Sequence, residues 1–127
     1  MNNISQLLKL AAEAYTRAHC PYSHFHVGAA ILSTDGKFYS GCNVENVSYP
    51  EGTCAESGAI SAMINGGSFQ IAEILIFGTG ENLITPCGGC RQRIAEFADE
   101  NTLIHLADAQ GVKQTLTLSQ LLPAHFK

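Results

Sequence analysis

Charge is scarce in this sequence. Charged residues fill 14% of its 127 positions, against about 25% in an ordinary soluble domain. Seven Lys and Arg face eleven Asp and Glu, a net charge of −4, and basic residues form no run anywhere. That removes the electrostatic footprint of a nucleic-acid or anionic-membrane surface and points to a small molecule or a protein as partner. Also lacking are a charged N-terminus leading into an apolar segment and an apolar run of about 18 residues. The expectation is a soluble, cytoplasmic chain. No linker, internal repeat or low-complexity stretch divides it, and 46% of its residues are hydrophobic, so residues 1–127 read as a single domain around one core. The shortage of charge implies that some surface is buried against another copy.

What is present in quantity is cysteine. There are five, an odd number at irregular spacings, and a reducing compartment disfavours structural disulfides, so metal binding or catalysis is the better use for them. Cys87-Gly88-Gly89-Cys90 follows Pro86 directly, and Cys54 lies upstream in Cys54-Ala55-Glu56. Cys20 and Cys42 receive no role.

Apolar residues Ile4, Leu7, Leu8, Ala11, Ala14, Tyr15 and Ala18 recur at three- and four-residue steps, predicting a helix over the first eighteen residues that ends before Pro21. Segments 27–32 and 38–42 flank an Asp35-Gly36 turn signal and predict a hairpin. Residues 44–53 read as loop. A second helix is expected from about Cys54 to Asn65, stopped by Gly66-Gly67, then a covered central strand from Ile71 to Phe77. Thr85-Pro86 opens a third helix through Cys90, Ile94 and Phe97, since Pro is favoured at the first helical position. Leu103–Leu106 and a short Thr115–Leu118 alternation predict two more strands, and Ser119–Leu122 a terminal helix. This order implies a layered α/β/α sheet domain.

Zinc takes four tetrahedral ligands, and three protein ligands leave a place for water, as a catalytic site needs. Cys54, Cys87 and Cys90 match that count. Cys87 and Cys90 are three apart on one helical turn, and Cys54 starts the other helix, where the dipole and free N–H groups favour thiolates. Glu56, two residues on, could swing toward the open position, take a proton from water and return it to a leaving nitrogen. Cys₃ ligation, a non-ligand Glu and Pro-Cys-x-x-Cys together form the signature of zinc deaminases. Three plainer readings compete. Cys-x-x-Cys could be a redox pair. Glu56 could close a capping box with Thr53. His24, His26 or His105 could complete a closed structural zinc site.

With these residues in hand, the chain resembles the cytidine deaminase family in its short form. The resembling blocks run in the family's order: Pro21-Tyr22-Ser23-His24-Phe25 with Val27-Gly28-Ala29-Ala30, Gly41-Cys42-Asn43-Val44-Glu45-Asn46, Cys54-Ala55-Glu56, Pro86-Cys87-Gly88-Gly89-Cys90-Arg91-Gln92, and Leu121-Leu122-Pro123. The resemblance implies a three-layer α/β/α fold with a central mixed five-stranded sheet, one zinc ion per chain, and a homotetramer with shared active sites. It implies hydrolytic deamination of cytidine and 2′-deoxycytidine in pyrimidine salvage. Cys54, Cys87 and Cys90 would hold zinc and Glu56 would shuttle the proton. Asn43 and Glu45 would bind the ribose 3′-hydroxyl and Phe25 would pack on the base, with Ala55 also in the substrate site. Tyr49 and Phe126 would reach a neighbouring subunit's site.

The chain departs from the family pattern twice. Ser57 stands where the family usually has an arginine that hydrogen-bonds the zinc thiolates, and three thiolates against Zn²⁺ leave one negative charge in excess. Arg91, or backbone N–H groups with the Ser57 hydroxyl, are expected to supply the missing contact. His26 stands where the family commonly has proline and is expected to play no chemical role. The absent arginine keeps blasticidin S deaminases as an alternative, which the Asn43-Val44-Glu45-Asn46 block opposes. A zinc-stabilised binding module without turnover is a further alternative. Free-base and polynucleotide deaminases fit less well, the latter for want of a basic groove.

Overall fold

Alternation of apolar strands with amphipathic helices produces one mixed sheet with helices on both faces. The structure, a computed structural model, describes residues 2–127. Helix α1 (Asn3–Thr16) is capped by Asn2, whose side chain accepts from the Ser5 N–H at 2.8 Å. Strands β1 (Gly28–Ser33) and β2 (Phe38–Cys42) form the expected hairpin, and Gly36 in its turn has φ +85°, a conformation glycine adopts at no steric cost. Helix α2 spans Ala55–Asn65, β3 Ile71–Phe77, α3 Gly88–Glu96, β4 Leu103–Asp108, β5 Gly111–Thr117 and α4 Leu118–Leu121.

The starts of α3 and β5 differ from those the sequence predicts, α1 ends at Thr16 and not at Ala18, and the loop 44–53 contains a turn. Helix α3 begins at Gly88, with Cys87 as its N-cap, and Pro86 lies outside it. The Pro86 carbonyl is taken by the Arg91 side chain at 2.9 Å, whereas the Cys87 carbonyl accepts the helical Arg91 N–H at 3.0 Å. Strand β5 starts at Gly111, not Thr115. It is an edge strand carrying exposed Lys113 and Gln114, and such polar edges blur the alternation that marks a strand. Within the expected loop 44–53, Tyr49–Glu51 forms a 3-10 turn.

The sheet order is β2-β1-β3-β4-β5, with β3 and β4 parallel and every other pair antiparallel. Alternate residues feed two cores. On one face Ala30, Leu32, Leu75, Phe77 and Ala107 pack against Leu7 and Ala11 of α1. On the other, Ala29, Ile31, Ile74, Ile76, Ile104 and Leu106 pack against α2, α3 and α4 through Ala59, Met63, Ile94 and Leu118. Ile74 and Ile104 are fully buried, and truncating either to Ala costs about 2–5 kcal/mol.

Two glycines set how closely the helices approach the hairpin. A Cβ on Gly28 would fall 2.0 Å from the Ala11 carbonyl oxygen, and one on Gly41 would fall 2.3 Å from the Ala59 nitrogen. Seating α2 on β2 in this way brings the first turn of α2 beside the end of β2. Val44, just beyond β2, is bonded in both directions to Thr53, through Val44 N–H to Thr53 O at 3.0 Å and Thr53 N–H to Val44 O at 2.9 Å. That clamp delivers the chain to Cys54 at a fixed angle.

Candidate metal centre and active site

The starts of α2 and α3 converge. Cys54 is the N-cap of α2 and Cys87 the N-cap of α3, and neither side chain caps its helix. Their sulfurs are therefore free to bind something else. Together with Cys90, on the first turn of α3, the three Sγ atoms lie within 4.8 Å of one another. Among the described residues this is the one cluster of three such side chains suited to holding a metal ion, and all five cysteines are free thiols.

Burial and crowding make the set hostile to negative charge on its own. Burial, followed by the Glu56 carboxylate and the Cys54 thiol, pushes the Cys90 thiol far above its ordinary range. Burial likewise raises Cys54. Cys87, which receives the Cys90 backbone N–H, is instead lowered. Three clustered soft sulfur donors, two of them disfavoured as thiolates by burial, fit a divalent cation such as Zn²⁺, and a three-ligand set leaves one position open.

Two of the three cysteines open onto a cavity of about 300 Å³ whose walls include Asn43, Glu45, Tyr49, Cys54, Ala55, Glu56 and Cys87. Glu56 is 4% exposed, and burial drives its carboxyl above the usual range, as suits a group that must both take and give a proton. Thr53 closes no capping box with it, because the N-cap is Cys54 and Thr53 is occupied by Val44. None of His24, His26 and His105 joins the sulfur cluster. His105 is held by Glu73 and Thr115, each at 2.8 Å, and His26 lies against the Tyr15 carbonyl at 3.3 Å.

At the other end of the cavity, Asn43 and Glu45 share a wall as their spacing predicts. Asn43 accepts from the Val27 N–H and donates to the Phe25 carbonyl, both at 2.8 Å. Glu45 accepts from the Ser23 hydroxyl and from the Tyr22 and Ser23 N–H groups at 3.0 and 3.1 Å, and the Ser23 hydroxyl bond leads in holding its carboxyl below the usual range. The sequence reading missed this backbone cradle, whose signal was the Pro21-Tyr22-Ser23 block between α1 and β1.

Not every expected site residue joins this wall. Phe25 lies outside it, with its ring edge over Gly80. Phe126 is 83% exposed and lines a separate cavity of about 400 Å³, where its carbonyl accepts from Gln92 at 3.0 Å. Tyr49 touches the cavity but is 79% exposed.

The expectation for Arg91 is corrected. Its Nε and Nη1 donate to the carbonyls of Pro86 and Leu121, both at 2.9 Å, so it ties α4 to the segment before α3. The cation that reaches a sulfur is Arg93, whose Nη1 lies 3.5 Å from Cys90 Sγ. The i,i+3 spacing of Cys90 and Arg93 within α3 was the available signal.

The family profile of the cytidine and deoxycytidylate deaminase zinc-binding region matches residues 1–106. The cytidine deaminase of Sporosarcina psychrophila is 36% identical over 98% of this chain and 91% of its own length. That of Halalkalibacterium halodurans is 39% identical over 94% and 91%. In three dimensions, the crystal structure of cytidine deaminase from Burkholderia pseudomallei superposes with a TM-score of 0.91 at 37% identity, covering 99% of this chain and all of that one. The Mycobacterium tuberculosis enzyme superposes at 0.84 with 34% identity, covering 100% and 99%. The mixed five-stranded fold, the three-cysteine cluster and these likenesses agree, and the chain belongs to the cytidine and deoxycytidylate deaminase family of zinc-binding proteins.

Proposed function

We propose that this protein hydrolytically deaminates cytidine and 2′-deoxycytidine, consuming water and releasing ammonia with uridine or 2′-deoxyuridine. The observation that carries the reading is a buried carboxyl, Glu56, beside three sulfurs within 4.8 Å of one another, on the wall of a cavity about 300 Å³ in volume. Cys54, Cys87 and Cys90 hold zinc. When bound, zinc supplies the Lewis acidity that makes water a nucleophile near neutral pH. Glu56 takes a proton from water and delivers it to N3 as the oxygen adds to C4; it then takes the remaining proton from that new hydroxyl and gives it to the amino group, which leaves as ammonia while the C4 carbonyl forms. Asn43 and Glu45 receive the ribose 3′-hydroxyl: the unused amide hydrogen of Asn43 can donate and the pre-ionised Glu45 carboxylate can accept. Ala55, on the cavity wall, belongs to the base end; Phe25, which lies outside that wall beside Gly80, would have to turn in to pack on the base. A pair that reads a sugar favours nucleosides over free cytosine.

In this reading the protein works in the cytoplasm, in salvage of pyrimidine nucleosides, as a homotetramer in which Tyr49 and Phe126 complete a neighbour's site. The exposed apolar side chains Val47, Tyr49 and Phe126 and the low charge content support a buried subunit contact. The deciding experiment measures zinc per chain and the ultraviolet change on adding cytidine, 2′-deoxycytidine, cytosine or blasticidin S. One zinc per chain with turnover of the first two is expected. Zinc without turnover of any of them would make this a binding module and end the proposal.

A further inference from the structure

We infer that Arg93 is the positioning residue that offsets the negative charge of the three-cysteine centre and fixes Cys90 as a ligand. This rests on the zinc reading above and concerns what lies behind the sulfurs. Three thiolates around one Zn²⁺ leave one negative charge in excess, and the Glu56 carboxylate adds to it within a region where Cys90 is 0% and Glu56 4% exposed. Uncompensated charge of that kind is costly to bury.

The chain has seven Lys and Arg residues with which to compensate it. Lys9 and Arg17 belong to α1 and its C-cap, on the opposite face of the sheet. Lys37 sits in the β1–β2 turn, Lys113 on β5 bonded to Gln110 at 2.8 Å, and Lys127 at the last position. Arg91 spends its guanidinium on two carbonyls. Arg93 alone of the seven donates to a sulfur, at 3.5 Å from Cys90 Sγ, and its charge also bears on the Glu56 carboxyl.

The conformation of Arg93 argues that the contact is purposeful. It belongs to the last turn of α3, where the helix dipole welcomes a cation. Its guanidinium nevertheless folds back toward the helix start, so that Nη1 lies 3.5 Å from where a Cβ on Gly89 would stand. Lying there opposes the field of the helix. Once a bound divalent cation ionises the sulfurs, Cys90 Sγ, 3.5 Å away, would carry the negative charge that such a cation-bearing side chain offsets.

The test is competition for zinc against a chromogenic chelator, using the full-length protein, Arg93→Gln and Arg93→Lys, with the unfolding temperature of each zinc-free form alongside. Groups that orient metal ligands from behind typically contribute about 10–100-fold in metal affinity. Arg93→Gln is expected to lose zinc affinity by that factor, while Arg93→Lys, which keeps the charge without the planar fork, recovers part of it. The zinc-free forms should unfold together. The cobalt-substituted Arg93→Gln protein should show a displaced sulfur-to-metal charge-transfer band. Arg93→Gln holding zinc as tightly as the parent overturns the inference, as does an equal loss in both variants matched by a fall in zinc-free stability. A parent protein that binds no zinc overturns the metal reading itself, and is told apart because it fails before any variant is made.

Discussion

Glu56 lies under two opposing influences. Burial favours its neutral form, while a hydrogen bond from its own backbone N–H, then the positive charge of Arg93 and the Cys90 thiol, favour its ionised form. Burial prevails and raises the carboxyl above its usual range, which suits a group that must both take and give a proton. Because Glu56 is proposed as proton carrier and not ligand, Glu56→Gln should keep one zinc per chain while kcat falls by about 10²–10⁴-fold. Metal analysis beside steady-state kinetics checks this, and activity within a few-fold of the parent would remove Glu56 from the proton path. Asn43 presents a harder case, since its side chain is already bonded to Val27 and Phe25. Asn43→Ala therefore loses the proposed sugar contact and also leaves the Val27 N–H without its partner, at a cost of about 1–3 kcal/mol. The expected outcome is a lowered unfolding temperature together with a lower kcat/KM for cytidine, measured where the variant is still folded. A specificity constant equal to the parent's would leave Asn43 with only its structural bonds.

At the scale of elements, the residues that announced themselves were those with strong local rules. Asp35-Gly36 declared the hairpin, Gly66-Gly67 the end of α2, and the apolar run of β3, broken only by Glu73, its central place in the sheet. The start of α3 was misread because a Pro-first rule competes with a tertiary bond: Arg91 takes the Pro86 carbonyl and leaves Cys87 as the cap. The cradle around Glu45 and the reach of Arg93 were obscure for the same reason, since both depend on where distant backbone comes to rest. The hairpin turn also carries a pH dependence that can be signed. The Ser33 hydroxyl, joined by that of Ser68, donates to the Asp35 carboxylate and holds it below the usual range. In the unfolded chain Asp35 titrates in the ordinary carboxylate range, so as pH falls the unfolded state binds the proton first. The stabilisation is complete above that range and is lost as pH drops through it toward the folded value. Asp35→Asn should therefore unfold at a lower temperature than the parent near neutral pH, with the gap closing as pH falls below the ordinary carboxylate range. A gap that stays constant with pH would mean that the carboxylate charge contributes nothing.

For the whole molecule the unresolved tension lies between a site that looks complete at its metal end and side chains that look misplaced for a lone chain. Phe126 is 83% exposed and Tyr49 79%, while Gln92 and Arg91 spend hydrogen bonds holding the C-terminal segment in a defined course, through the carbonyls of Phe126 and Leu121. Fixing a segment only to present an aromatic ring to water gains nothing; fixing it to present the ring to a neighbour lowers the entropy lost on association. The proposed homotetramer makes this testable without a structure of the assembly. Phe126→Ala should keep zinc and lose much of its activity, and Glu56→Gln should be nearly inactive on its own account. If Phe126 serves the neighbour's site, chains of the two variants unfolded and refolded together will assemble sites that pair an intact Glu56 from one chain with an intact Phe126 from the other. Activity of the mixture should then exceed the sum of the separately refolded variants, at a mass four times that of the 13.6 kDa chain. If each chain uses its own Phe126, no mixed assembly contains a whole site, and the mixture will show only the average of its parts.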